Sequence, residues 1–119
     1  MHAAIRRFHS PDIHDLEGYQ PPEQDRFGFL LQILAGPEND QGEESFDVFV
    51  CTPRWILENY SHDDIVSGSH MMIMFKYDYQ KLCDFLHKKV SEVSGEAWID
   101  VARGIGRLGR WEFEDYTPA

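Results

Sequence analysis

The sequence is short of several things, and each shortage closes off a class of protein. Only two cysteines, Cys51 and Cys83, occur in 119 residues, too few for a disulfide framework. Each falls in an apolar pattern, where a buried free thiol is the ordinary outcome. No apolar run approaches the ~20 residues that cross a bilayer, and no basic–apolar–small pattern of a signal peptide opens the chain. The expectation is a cytoplasmic protein with no membrane contact. Repeats and low-complexity tracts are missing, so neither a solenoid nor a disordered linker is in view. Basic residues are scarce, with 11 Lys and Arg against 21 Asp and Glu and a net charge of −10. Such a field repels nucleic acid and anionic lipid and attracts basic partners.

Catalytic constellations are missing as well. Gly104, Gly106 and Gly109 have the letters of a dinucleotide-binding turn, but they follow a predicted helix and precede a predicted strand. That is the reverse of the strand–turn–helix order in which free N–H groups meet a pyrophosphate. They read as a helix end and turn. The histidines His2, His9, His14, His62, His70 and His87 are scattered, with no i, i+4 pair on a clear helix to suggest a metal. Asp63 and Asp64 are explained more cheaply by helix capping than by a carboxylate site. The stretch Val66-Ser67-Gly68-Ser69-His70 supplies no strained nucleophile turn. Cys51, just before a helix start, is the best-placed of the candidate nucleophiles, and packing is its default explanation. No cofactor, no metal and no enzymatic activity are expected.

What the chain does have is enough apolar material for one core. Its hydrophobic fraction of 42% belongs to a globule and not to a disordered chain, and its length suits one domain, residues 1–119. Ala3–His9 reads as an edge strand stopped by Ser10-Pro11, and Asp12–Tyr19 as at most a helical turn. Phe27–Ala35 is a strand apolar on both faces, ended by Gly36-Pro37. Ser45–Cys51 alternates, with Phe46, Val48 and Val50 on one face, and completes a hairpin around the acidic stretch Glu38–Glu44.

Thr52-Pro53 then has the N-cap and first-turn chemistry of a short helix carrying Trp55 and Ile56. Ser61–Asp64 has capping-box spacing and predicts another helical turn. His70–Phe75 is a third core strand. Asp78 caps a main helix on which Leu82, Phe85, Leu86, Val90 and Val93 recur at helical spacing. A second helix carries Trp98, Val101, Ala102, Ile105 and Leu108. The chain closes with a strand, Arg110–Asp115, that points Glu112 and Glu114 off one face.

This order lacks the alternation of a parallel βαβ domain. It predicts an α+β fold: an antiparallel sheet of four to five strands, two main helices on one face, and a short helix after the second hairpin strand. Because several strands are apolar on both faces, the second face is either covered by the short helix and loops or paired with another subunit. A monomer and a homodimer both fit.

The charge is lopsided. Between Asp12 and Asp64 there are 13 acids and two bases, Arg26 and Arg54, whereas the rest of the chain is nearly balanced. Solubility alone would account for acidity. The acidic–aromatic segments Trp55–Tyr60 and Trp111–Tyr116 suggest more, because carboxylates beside large rings make an edge that a Lys- or Arg-rich partner could read.

The same segments carry a family resemblance. Ser10-Pro11-Asp12-Ile13, Asp15-Leu16-Glu17, Phe27–Gln32, Ser45–Val48, Val50-Cys51-Thr52-Pro53 with Trp55, Glu58-Asn59-Tyr60, and Gly109 with Trp111–Tyr116 resemble, in order and over nearly the whole chain, the family-eight immunity proteins of bacterial polymorphic toxin systems. The resemblance implies a small cytoplasmic inhibitor, encoded beside a toxin, that occupies the toxin's working surface. A basic toxin, possibly a nuclease, suits the charge. The expected contact residues are Glu43, Glu44, Asp47, Glu58, Asp63, Asp64, Glu112, Glu114 and Asp115. Other readings stay open: an acidic nucleic-acid mimic that several basic proteins bind, a small metal- or Cys51-dependent enzyme, and a subunit that oligomerises through its two-sided sheet.

Overall fold

The centre of the fold is a hairpin whose two strands pair over eight residues. In the computed structural model, which describes residues 1–114, β2 (Gly28–Pro37) runs antiparallel to β3 (Glu44–Cys51), from Gly28 opposite Cys51 to Ala35 opposite Glu44. Alternation decides which side faces inward. Phe29, Leu31, Ile33 and Ala35 of β2, with Phe46, Val48 and Val50 of β3, are all buried on one face. β1 (Ala3–His9) pairs antiparallel with β2 and forms one edge of the sheet.

β1 breaks register between Ile5 and Arg7. The guanidinium of Arg6 donates to the carbonyls of Pro37 at 2.7 Å and Asp40 at 2.5 Å, so the bulge ties β1 to the hairpin loop. Gly42, in that loop, has φ +108°, a conformation that side chains with a Cβ rarely adopt.

β3 carries neighbours on its other side too, one at each half. β4 (Met71–Ile73) pairs with Phe49–Cys51, and β5 (Arg110–Trp111) with Phe46 and Asp47. The resulting five-stranded sheet is mixed. Contrary to the fully antiparallel expectation, β4 runs parallel to β3. The reason lies in α1 (Pro53–Asn59), which carries the chain back along the sheet so that it re-enters in the direction of β3.

α2 (Tyr79–Ser91) and α3 (Trp98–Ile105) cover the buried face. Leu82, Leu86 and Val90 of α2, with Val101, Ala102 and Ile105 of α3, join the strands in one core. Asp78 caps α2 by accepting from Lys81 N at 3.1 Å. The fold is therefore α+β, with its two main helices on one face and the short helix on the other.

α1 lies on that second face through Trp55, whose ring centroid is 4.8 Å from that of Phe49. A Cβ on Gly28 would come within 2.5 Å of the Trp55 ring, so this glycine is what lets the indole seat on β2. Thr52, fully buried, fixes the start of α1. Its hydroxyl accepts from Trp55 N at 3.2 Å and from Phe27 N at 3.3 Å, joining the helix cap to the entry of β2. Trp55 covers one end of the face only. Leu30, Gln32 and Leu34, along with Phe49, remain half-exposed.

Three predicted elements are missing or shortened: the strand expected over His70–Phe75 spans only Met71–Ile73 and lies partly exposed at the sheet edge. Ser61–Asp64 starts no helix, and the chain from Ser61 to His70 is loop. The closing strand ends at Trp111, and residues 112–114 turn, with Glu114 N donating to Trp111 O at 3.0 Å. Glu112 and Glu114 therefore do not stand in one row of a strand. Asp115 lies outside the described residues. Among those residues, no helix is long and apolar enough to cross a membrane.

Candidate toxin-binding surface

Each acidic residue singled out by sequence has a definite place, and together they divide into two groups. Glu43, Glu44, Glu112 and Glu114 gather where β3 begins beside β5. Glu58, Asp63 and Asp64 follow β3's other end. The two groups are roughly 23 Å apart along β3 at ~3.3 Å per residue. Asp47 lies between them. The sequence-predicted surface is not one continuous patch.

At the hairpin end the carboxylates are engaged internally. Glu43 pairs with Arg7 of β1 at 2.8 Å. Glu44, half-buried, accepts from the indole of Trp98 at 2.5 Å and from that of Trp111 at 3.2 Å, linking α3 and β5 to β3 through one oxygen. Glu112 turns back to accept from Ser45 N at 3.0 Å, while its own N–H donates to Ser45 O at 3.1 Å. Glu114 meets Arg110 at 3.6 Å. Charge-assisted bonds of this kind hold elements together, and Glu44 does so for three at once.

Asp47 faces outward from β3 opposite Gln32 of β2 and Arg110 of β5. Its Oδ1 is shielded from solvent and has no hydrogen-bond partner among the described residues. Close by, His9 Nδ1 and Gln32 Oε1 are 2.8 Å apart across the same face.

The α1 end is built differently. Glu58 lies in a half-exposed ion-pair network, 3.1 Å from Arg26 and 3.4 Å from Arg54. Arg54 also reaches Glu23 at 2.6 Å and Asp25 at 3.1 Å. Three carboxylates here share two guanidinium groups, so the network stays anionic. Asp63 and Asp64 are exposed, and neither side chain has a hydrogen-bond or ion-pair partner among the described residues. Two large apolar side chains flank them: Leu57 is 71% exposed and Ile65 88%. The backbone between is anchored, because Tyr60 packs edge-on against Trp55 with centroids 5.7 Å apart and Asp63 N donates to Tyr60 O at 3.0 Å. The end of α1 and the loop after it thus present two unpaired carboxylates between two exposed aliphatic groups. Sequence reading named the aspartates as caps and contacts but missed Leu57 and Ile65; their apolar side chains in an otherwise polar helix–loop segment were the available signal.

Residues weighed for catalysis sit elsewhere. Cys51 is buried, and burial pushes its thiol pKa up, opposite to what a nucleophile needs. Cys83 is half-buried and also raised by burial. His70 is held at φ +54° with its Nε2 2.7 Å from Gly106 O. His87 is exposed on α2 and meets Phe8 edge-on at 5.8 Å. Gly106 closes α3 and Gly109 leads into β5. Among the described residues no group of three or more His, Cys, Asp and Glu side chains is placed to hold a metal ion.

No curated protein and no solved structure matches the chain. The family model described as Immunity protein 8 matches residues 3–116, which takes in every element of the fold from β1 to β5. The chain belongs to the Immunity protein 8 family of polymorphic toxin systems.

Proposed function

We propose that this protein neutralises a cognate toxin, encoded nearby, by stoichiometric binding, and that the toxin's working surface is basic, as a nuclease domain's would be. The contact surface is α1 and the loop behind it. The observation that carries this reading is the run from Leu57 to Ile65, where the unpaired Asp63 and Asp64 lie between two exposed aliphatic groups at the end of α1 and in the loop anchored to it. Exposed apolar groups rimmed by charge are the usual make-up of a protein interface. Unpaired acids steer a cationic partner without losing internal bonds, and such steering raises association rates by about 10- to 1000-fold. Glu58 adds to the same field. Glu43 and Glu114 contribute at longer range, Asp47 and Glu112 at the margin, and Glu44 serves the fold instead. Asp115 extends the hairpin-end group in sequence.

The test is co-expression with the C-terminal domain of the toxin encoded beside it. Wild type protects the cell and co-purifies with that domain at one to one. Asp63→Lys combined with Asp64→Lys abolishes protection while leaving the melting temperature unchanged. Full protection by that variant would remove α1 and its loop from the interface.

A further inference from the structure

We infer that the open edge of β4, with the apolar groove between β4 and α2, is a second docking site, and that its occupant is an extended peptide segment with apolar residues at alternate positions and carboxylates at its ends. This site is independent of the toxin contact proposed above. It follows the acidic loop in the chain but opens toward α2, and its charged lining residues are lysines.

The first ground is the backbone. In the parallel ladder Phe49 N donates to His70 O and Met74 N to Cys51 O, both at 2.9 Å. That register turns the N–H groups of Met72 and Met74 toward β3. The N–H and C=O of Ile73 and the C=O of Met71 consequently point away from the sheet, and no described residue bonds to them. The edge is short, three residues, but it carries no proline and no bulge to turn an added strand away.

The second ground is the groove. It encloses about 390 Å³ and is lined by Met72, Met74, Leu82 and Phe85, with Phe75 at its mouth. Phe75 is 76% exposed, Ile73 52% and Phe85 46%, a concentration of open apolar surface that marks contact sites. Methionines adapt to varied side chains. An added strand would point alternate side chains into this groove while its backbone bonds to Ile73, the strand-addition mode of peptide recognition.

Charge selects the occupant. Two of the chain's four lysines belong to the groove itself. Lys76 and Lys81 line the groove, which has no carboxylate in its lining, and Lys89 Nζ lies 5.6 Å from the Phe85 ring centroid. The nearest acids, Asp78, which caps α2, and Asp84, which accepts from Gln80 at 2.8 Å, do not line it. A second copy of the chain suits the groove poorly, because two-fold pairing of β4 with β4 would set these lysine rims against each other.

The probe is a seven-residue peptide of alternating valine and serine with a glutamate at each end, compared with its counterpart carrying lysine at each end, titrated into the ¹⁵N-labelled chain. The glutamate peptide should shift the amides of Met71–Phe75 and bind at least about tenfold tighter than the lysine peptide, against the −10 net charge of the protein. Ile73→Pro deletes the outward N–H without touching the β3 ladder and should abolish binding. Lys76→Glu with Lys81→Glu, both at exposed positions, should reverse the peptide preference and leaves the core intact should the proline variant fail to fold. Equal binding of the two peptides, shifts confined to other residues, or no binding by either would overturn the proposal. So would a wild-type dimer in sedimentation that Ile73→Pro dissociates, which would give the edge to a second copy.

Discussion

Where β3 begins, Glu43, Glu44 and Glu112 meet donors from distant parts of the chain and Glu114 meets Arg110 four residues back, whereas past its far end Asp63 and Asp64 meet none among the described residues. Both regions are acidic in sequence and both flank large rings. The difference lies in where the positive and N–H groups are. Arg7, Arg110, two indoles and the Ser45 amide converge on the hairpin end. At the α1 end Arg26 and Arg54 are shared among Glu23, Asp25 and Glu58, leaving the loop aspartates over. Net charge therefore says that a chain is acidic but not which of its acids remain available for a partner.

The comparison can be broken most forcefully at Glu44. Glu44→Ala leaves two indole N–H groups without their acceptor, and hydrogen bonds to a charged group contribute about 1.5–3 kcal/mol. The expected result is a loss of about 3 kcal/mol in urea unfolding, with association to the toxin unchanged for the folded fraction. A stable Glu44→Ala that binds slowly would make the hairpin end a recognition surface after all.

Salt dependence sharpens the contrast. Steering by solvent-exposed charge weakens as ionic strength rises. Asp63→Asn with Asp64→Asn should cut the association rate about tenfold at low salt and flatten its salt dependence. Glu43→Gln with Glu114→Gln should cut it by no more than about twofold. Stopped-flow mixing with the toxin domain measures both, and equal losses would merge the two ends into one field.

A smaller effect belongs to neither end. Tyr77 is buried in an aromatic cluster with Tyr19, Phe27 and Phe29, and its hydroxyl donates to Leu16 O. Burial raises its phenol above the ordinary 10.0, with the charges of Tyr79 and Cys83 adding. Tyr79 is pushed up to about 12, chiefly by its hydrogen bond with Cys83. Because the folded pKa values exceed the unfolded ones, the neutral phenols favour the fold fully below pH 10, and that contribution is lost as pH rises past it. Urea midpoints should therefore be level from pH 7 to about 9 and decline above about 10. Tyr77→Phe should lower the neutral-pH stability by about 1 kcal/mol and soften that decline. Toxin association, which depends on carboxylates, should not follow this profile.

Much of this architecture is legible in the sequence because it rests on periodicity. The alternation in Ser45–Cys51, the helical spacing of Leu82, Leu86 and Val90, and the Thr52-Pro53 start of α1 all reappear in the structure. The parallel direction of β4 was not legible. It depends on a seven-residue helix whose packing, Trp55 over Gly28, is a tertiary fact. Ser61–Asp64 has the letters of a capping box, yet Ile65-Val66-Ser67-Gly68 behind it is β-branched and glycine-containing and gives no helix to cap. The closing strand stops at Trp111 because Glu112 turns its side chain to the Ser45 amide, a partner 67 residues away. Long-range partners likewise decided which acids are spent: Arg7 for Glu43, Trp98 and Trp111 for Glu44. No local pattern carries that information.

The most direct measurement is hydrogen exchange of the chain alone and in complex with its toxin domain. Binding through α1 predicts new protection across Leu57–Ile65 and no change in the hairpin loop, residues 38–43. Protection of the hairpin loop with residues 57–65 exchanging as in the free chain would contradict it.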